Sequence, residues 1–503
     1  MISLSRSTPT TMPLEKLEGV ELPAAADMHV HLRENEMMEL VTPMIRRGGV
    51  NTVFVMPNLV PPITTVAHCL AYKKQLQELA PDVTFLMSLY LHPHISPATV
   101  KEAKQAGITG IKSYPHGVTT HSDHGVMSYE QFYPVFEEME RQDMVLNLHG
   151  ELPPSQGQDI TVLNAEESFL PTLKDLHRRF PNLRIILEHC TSAAAIQAVK
   201  ECGPTVAATI TAHHPFLIVD DWAGDPHCFC KPVAKLPSDR RAILKTLISG
   251  DPKFFFGTDS APHPAHTKRA DRFAAGVFTQ PHAVGYVVDA LEQGIETGVL
   301  REEDVTKEKL QGFLCDFGRK FYKVQNERQE RISLQRRKDV VEEVLRSEDG
   351  KVEVVPFRRG KMTWEAKWLL TYLLQPTVAA PGKLPKEKSS PPLHYNSVHY
   401  SADELLLLHN THPSYNLPKA GAETHLLNLT ETCEPPNVLQ CKFGGSTAFP
   451  PDLVVVVVVL VEEEEEEEDE LQLELVPVLE RLPMELKLVS LPTFCSAPWQ
   501  SPK

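Results

Sequence analysis

The chain has 503 residues, a formal net charge of -16 and 23% charged residues. That acidic balance excludes general nucleic-acid binding, which needs basic patches, and no run reaches the ~18 apolar residues of a membrane span. Nine cysteines without a Cys-x-x-Cys pair read as reduced thiols in a cytoplasmic protein, not as a disulfide framework. Residues 1–13 lack the apolar core of a secretory signal and read as a flexible N-terminus.

From Leu22 onward a short apolar strand, a polar loop and an amphipathic helix repeat. The first strand runs into Asp27-Met28-His29-Val30-His31-Leu32-Arg33, and alternation along it would put His29, His31 and Arg33 on one face. A helix over 36–47 follows, closed by Gly48-Gly49. Next come a strand over 52–56 with Asn58 just past its end, a helix over 64–79 and a strand over 83–91. A strand over 110–112 leads into a long polar loop and a helix over 129–141. The strand over 145–149 ends in His149, and a helix covers 165–179. The strand over 184–189 ends in His189, and a helix covers 193–201. Strand 206–210, helix 238–248 and strand 254–259, which ends in Asp259, complete the series. Eight strands alternating with helices predict a parallel (β/α)8 TIM barrel. Continuous apolar strands fit a sheet covered on both faces.

The polar residues carry the functional signal. His29, His31, Asn58, Lys112, His149, His189 and Asp259 all fall at or just past the C-terminal ends of strands, which share one rim in a barrel, where active sites of this fold lie. Several converging imidazoles and a carboxylate are too costly to bury without compensation. A metal centre supplies it, and the donor set suits zinc, with manganese or cobalt also accommodated. There are more donors than one four-coordinate ion uses, which predicts a binuclear site able to activate water and polarise a carbonyl. Lys112 is the odd member: as an ammonium it cannot ligate, so it is neutral, modified or not a ligand.

The motifs Asp27-Met-His-Val-His-Leu-Arg33, Met56-Pro-Asn58, Gly110-Ile-Lys-Ser-Tyr-Pro115, Leu148-His-Gly-Glu151, Glu188-His-Cys-Thr191 and Gly257-Thr-Asp-Ser-Ala-Pro-His263 resemble the motif series of dihydroorotases, of the short monofunctional type within the amidohydrolase superfamily. The resemblance spans roughly residues 14–368. It implies reversible cyclisation of N-carbamoyl-L-aspartate to L-dihydroorotate with release of water, in pyrimidine synthesis. It implies two zinc ions per chain, bridged by a hydroxide and by Lys112 carboxylated on its amine. His29 and His31 would hold one ion with Asp259, and His149 and His189 the other. Asp259 would be the proton shuttle. Arg33, Asn58 and His263 would bind the substrate carboxylate, Thr119 and Thr120 would sit on a loop closing over it, and backbone groups near Lys231 and Ala275 would contact the ring. Position 231 is lysine where a leucine is common. The resemblance also implies pairing into homodimers.

The remaining residues take plainer readings. His213-His214 read as loop-stabilising, His92, His94, His121 and His124 as loop histidines, and Cys69 and Cys190 as small buried residues. Glu151 and Glu188 adjoin ligands and would orient them, a plain ion pair being the alternative for Glu188. Two rival functions share much of this pattern: another cyclic amidohydrolase, of hydantoinase or allantoinase type, and a non-catalytic scaffold that kept the barrel. After residue 368 the chain turns Pro- and Ser-rich, then runs through Leu453–Val461 into Glu462–Glu470. Residues 369–503 are expected to be a disordered acidic tail, with an aggregation hazard in the valine run.

Overall fold

The computed structural model describes residues 13–153, 159–269, 271, 273–369, 438–442 and 454–458. The first strands in chain order are β1 (Glu21–Pro23), β2 (Ala25–Val30), β3 (Val50–Val55), β4 (Thr84–Leu86), β5 (Ser88–Tyr90) and β6 (Gly110–Ser113). They are followed by β7 (Val145–Leu148), β8 (Arg184–Leu187), β9 (Val206–Ile210) and β10 (Phe254–Phe256). Neighbours pair in parallel from β2 through β3 to β4, and from β5 through β6, β7, β8 and β9 to β10. The ring closes between its ends: the Asp259 amide donates to His29 O at 2.9 Å and the His31 amide to Ser260 O at 3.0 Å. With β4 and β5 as halves of one strand, this is the eight-stranded TIM barrel expected. The strands are buried almost throughout, as apolar strands flanked by helices must be.

The helices are α1 (Asn35–Val41), α2 (Met44–Arg47), α3 (Val66–Leu79), α4 (Pro97–Gln105), α5 (Tyr133–Arg141) and α6 (Ala165–Arg179). Then follow α7 (Ala193–Glu201), α8 (Val219–Gly224), α9 (Pro237–Leu247), α10 (Ala283–Glu296), α11 (Lys307–Gln311) and α12 (Phe317–Tyr322). The single helix expected over 36–47 is two, because Pro43 cannot donate into the helix ladder and clashes with the preceding turn. The strand expected over 83–91 is interrupted at Met87. Side-chain caps fix several starts: Thr65 accepts the His68 amide, Ser96 the Thr99 amide and Ser192 the Ala195 amide.

Two features lie outside the expected pattern. Helix α10 is buried over nearly its whole length, so it shows no polar stripe to read. A second sheet joins β1 to β11 (Arg331–Val340), which pairs with a long strand at 362–368. Between these, β12 (Leu345–Arg346) and β13 (Glu353–Val354) form a short hairpin, which makes Met362–Trp368 β14. A β-carbon on Gly285 of α10 would lie 2.1 Å from the Trp364 carbonyl oxygen of β14; only glycine permits that approach.

By spatial clustering the chain divides into residues 1–377 and 378–503. In the second unit β15 (Val438–Lys442) pairs antiparallel with β16 (Val454–Val458), so part of the valine run is strand, as its β-branched residues favour. The rest of the tail expected to be disordered, and nearly all of the expected flexible N-terminus, lie outside the described residues. Among the described residues no helix is long and apolar enough to cross a membrane, and six cysteines are free, Cys69 and Cys190 both buried.

Candidate active site

The barrel brings the expected residues to one rim. His29 sits near the end of β2, Lys112 near the end of β6, and His149, His189 and Asp259 just past β7, β8 and β10. All are buried. Asp259 Oδ1 lies 3.3 Å from both His29 Nε2 and His31 Nε2, and these three side chains offer ligand atoms within 4.8 Å of one another. The rings of His29 and His189 are 5.1 Å apart, and those of His149 and His189 4.7 Å. Burial would raise the Asp259 carboxyl, but the His29 and His31 imidazoles set against it hold it well below the usual carboxylate range.

Lys112 Nζ is fully buried, has no hydrogen-bond partner and lies 5.1 Å from the centre of the Tyr114 ring. Burial pushes its ammonium down to about 8, against Glu188 and Asp259, which favour the charge. His189 Nδ1 is likewise buried without a partner. Orphaned nitrogens beside a buried carboxylate are what a metal site leaves when the ion is not counted, so the donor set fits a metal.

Carboxylates fix the imidazoles. Glu188 Oε2 accepts from His29 Nδ1 at 2.8 Å and from Thr209 Oγ1 at 2.6 Å, while its Oε1 accepts from Asn147 Nδ2 at 2.6 Å. Glu151 Oε2 accepts from His149 Nε2 at 2.7 Å. Each bond selects a tautomer, leaving the lone pair on His29 Nε2 and on His149 Nδ1 for a metal. Asp27 instead joins strands. It accepts the His29 amide at 3.1 Å and the Thr258 amide and hydroxyl at 2.7 Å each, tying β2 to the residues after β10.

Arg33 reaches the pocket by a turn. The strand ends at Val30, and Arg33 has φ 61°, in the left-handed region, so the simple alternation expected for it does not hold. His189 and Asp259 share that region at φ 43° and 48°; each such residue costs about 1–2 kcal/mol, and such strain clusters at functional sites. Arg33 Nε donates to Pro262 O at 2.8 Å and its Nη2 lies 3.1 Å from His263 Nε2. The same His263 nitrogen lies 2.9 Å from Ala275 O. One nitrogen cannot donate to a carbonyl and accept from a guanidinium at once. With His263 donating to Ala275, the Arg33 Nη2 is left free for an incoming anion. Burial and Arg33 keep the His263 imidazole well below its ordinary pKa, hence neutral.

One cavity is lined by His29, His31, Arg33, Asn58, Thr119, Thr120, His149, His189, Lys231, Asp259 and Ala275. Lys112 and His263 lie outside its lining, Lys112 fully buried and His263 against Arg33. Asn58 Nδ2 donates to Thr120 O at 3.2 Å, and Thr120 Oγ1 donates to Ala275 O at 3.3 Å. His121, read as a plain loop histidine, donates from Nδ1 to Asn58 O at 3.0 Å. Lys268, which carries no signal in the sequence, donates to the carbonyls of Phe229, Ala274 and Gly276 at 2.7–2.9 Å and so braces the wall that carries Ala275. His214 binds Thr211 Oγ1 at 2.8 Å and Pro232 O at 3.0 Å, as a loop-stabilising histidine should.

Residues 20–296 match the sequence model of the Amidohydrolase family. The Schizosaccharomyces pombe protein named "Probable dihydroorotase" is 48% identical over 352 residues, covering 70% of this chain and 99% of that one. The chain belongs to the dihydroorotase family of amidohydrolases. The Saccharomyces cerevisiae dihydroorotase is 46% identical over 372 residues, again with 99% of its length covered. The crystal structure of dihydroorotase in complex with 5-fluoroorotic acid from that yeast superposes with a TM-score of 0.65, over 70% of this chain and 99% of the other. L-hydantoinase from Arthrobacter aurescens, 17% identical with a TM-score of 0.55, shares the fold alone. The dihydroorotase family accounts for the metal-type donor set and for a small-molecule pocket at this rim.

Proposed function

We propose that this chain is a zinc dihydroorotase, cyclising N-carbamoyl-L-aspartate to L-dihydroorotate and water and running the reverse hydrolysis. The observation that carries the reading is the pairing of two features at one rim of the barrel: a buried imidazole–carboxylate cluster with the orphaned Lys112 amine behind it, and an arginine with a free donor 3.1 Å from a neutral histidine. His29 and His31 would hold one ion with Asp259, His149 and His189 the other, and Lys112, carboxylated on its amine, would serve both. The ions would polarise the ring amide carbonyl and make water a nucleophile at neutral pH. Burial, by pushing the Lys112 ammonium down to about 8, enlarges the neutral fraction that would react with carbon dioxide.

In hydrolysis Asp259 takes a proton as water adds to the ring carbonyl carbon, then gives it to the nitrogen as the carbon–nitrogen bond breaks. In cyclisation the ureido nitrogen loses that proton to Asp259, the carbon–nitrogen bond forms, and a carboxylate oxygen leaves as water, taking the Asp259 proton and a second one from solvent. One carboxylate serves as base and then acid. Arg33 and Asn58 would hold the carboxylate that does not react, joined by His263 once its Nε2–H turns from Ala275 O to the substrate, and main-chain groups near Lys231 and Ala275 would meet the ring. The Arg33–His263 pair favours this substrate over a hydantoin, which has no such carboxylate to place.

The test is metal content together with cyclisation of N-carbamoyl-L-aspartate by the purified chain. Two zinc ions per chain and turnover are expected. Metal without turnover on this substrate would send the reading to another cyclic amide, and a chain that binds no metal would end the catalytic reading.

A further inference from the structure

Lys231 does more at this rim than its main chain explains. It lies in the segment after β9, and its side chain reaches across the barrel mouth. Lys231 Nζ donates to the carbonyl oxygen of Val118 at 2.6 Å. Val118 belongs to the loop 114–126, the segment that carries Thr119 and Thr120 into the cavity.

That loop is braced internally. The Thr119 amide donates to Ser122 Oγ at 2.9 Å, Ser122 Oγ donates back to Thr119 O at 2.6 Å, and the amides of Gly117 and Gly125 both donate to Ser122 O, at 3.0 and 2.8 Å. At its base the Val126 amide donates to Tyr114 O at 2.7 Å and the His116 amide to Val126 O at 3.1 Å. A unit so tied to itself can seat or lift as one body. Its neutral ties to the rim run from ordinary to long: His121 to Asn58 O at 3.0 Å, Asn58 to Thr120 O at 3.2 Å and Thr120 to Ala275 O at 3.3 Å. The Lys231 bond is shorter than these three and carries a charge, which makes it the stronger kind. A leucine there has no donor to offer.

We propose that Lys231 is a positioning residue whose ammonium latches the 114–126 loop down over the pocket. The latch holds Thr119 and Thr120 in place before substrate arrives, so less ordering is left for binding to accomplish. It also brings a cation to a cavity that already holds Arg33, which suits an anionic substrate. What the loop covers rests on the dihydroorotase reading, but the latch itself can be read without any substrate.

The test is hydrogen exchange on the full metal-loaded chain, comparing the parent with Lys231→Leu and Lys231→Arg. In the leucine variant the amides of residues 117–126 should exchange about tenfold faster, the size expected for losing one hydrogen bond to a charged donor, while β6 stays protected. Arginine keeps a donor and should retain the parent protection. For cyclisation, the leucine variant should show a several-fold higher KM with a smaller change in kcat, and arginine should restore it. Unchanged exchange over 117–126 in the leucine variant overturns the latch. So does equal loss of protection in the leucine and arginine variants. Faster loop exchange in a chain that never turns over N-carbamoyl-L-aspartate supports the latch and overturns the substrate assignment alone.

Discussion

His29 Nδ1 donates a hydrogen bond to Glu188, 159 residues downstream, at 2.8 Å, which leaves the lone pair of Nε2 beside Asp259. Asn147 and Thr209 hold Glu188 in turn. A glutamine at 188 would offer one acceptor where the native residue serves His29, Thr209 and Asn147 together. Glu188→Gln should therefore lower metal affinity by about 10–100-fold, the usual effect of removing such an orienting partner. Metal retained after dialysis against a graded chelator series measures it.

Lys112→Ala removes the amine that both proposed ions would share. The variant should keep its fold, since Lys112 Nζ makes no hydrogen bond to lose, and should lose metal and cyclisation together. Elemental analysis and circular dichroism on one sample separate metal loss from unfolding.

Arg33→Lys keeps the charge but not the fork. Nε is already committed to Pro262 O while Nη2 faces His263, and a lysine cannot make both contacts in that geometry. KM for N-carbamoyl-L-aspartate should rise by about tenfold or more, the size of a lost charge-assisted hydrogen bond, with metal content unchanged. Steady-state kinetics beside a metal assay decides it.

Gly285→Ala puts a methyl 2.1 Å from the Trp364 carbonyl, and that backbone oxygen cannot swing away as a side chain would. Helix α10 and strand β14 must separate, with a destabilisation of about 1–3 kcal/mol. Chemical denaturation of the variant and parent reads it directly.

Ending the chain after Leu369 removes only residues beyond the β14 strand. All the proposed site residues lie in the first unit, 1–377. Metal content and cyclisation of the shortened chain should match those of the full one.

The barrel was legible because its strands are buried on both faces and so read as apolar runs, and the rim was legible because polar residues recur at the ends of those runs. Burial on all sides hides an element instead: α10 shows no stripe, and β11 carries charges that mask its pairing with β1 and β14. Within the site, residue types were visible but tertiary bonds were not. Nothing in local spacing tells that Glu188 serves His29 or that Asp27 reaches Thr258. The Arg33 turn escaped for a related reason, since a left-handed arginine has no sequence mark. Lys268 looks like any surface lysine until three carbonyls are found around its ammonium.

Barrel closure has a consequence for the order of synthesis. Asp27 is tied to Thr258, 231 residues further along the chain, and Asp259 is the group that brings His29 and His31 to a common point. On the ribosome the two histidines emerge first and wait, without the carboxylate they share, while the strands from β3 to β10 are made. A nascent chain halted before Gly257 therefore carries imidazoles but no assembled metal pocket. On the proposed ligand assignment, loading of an ion would wait for the finished barrel.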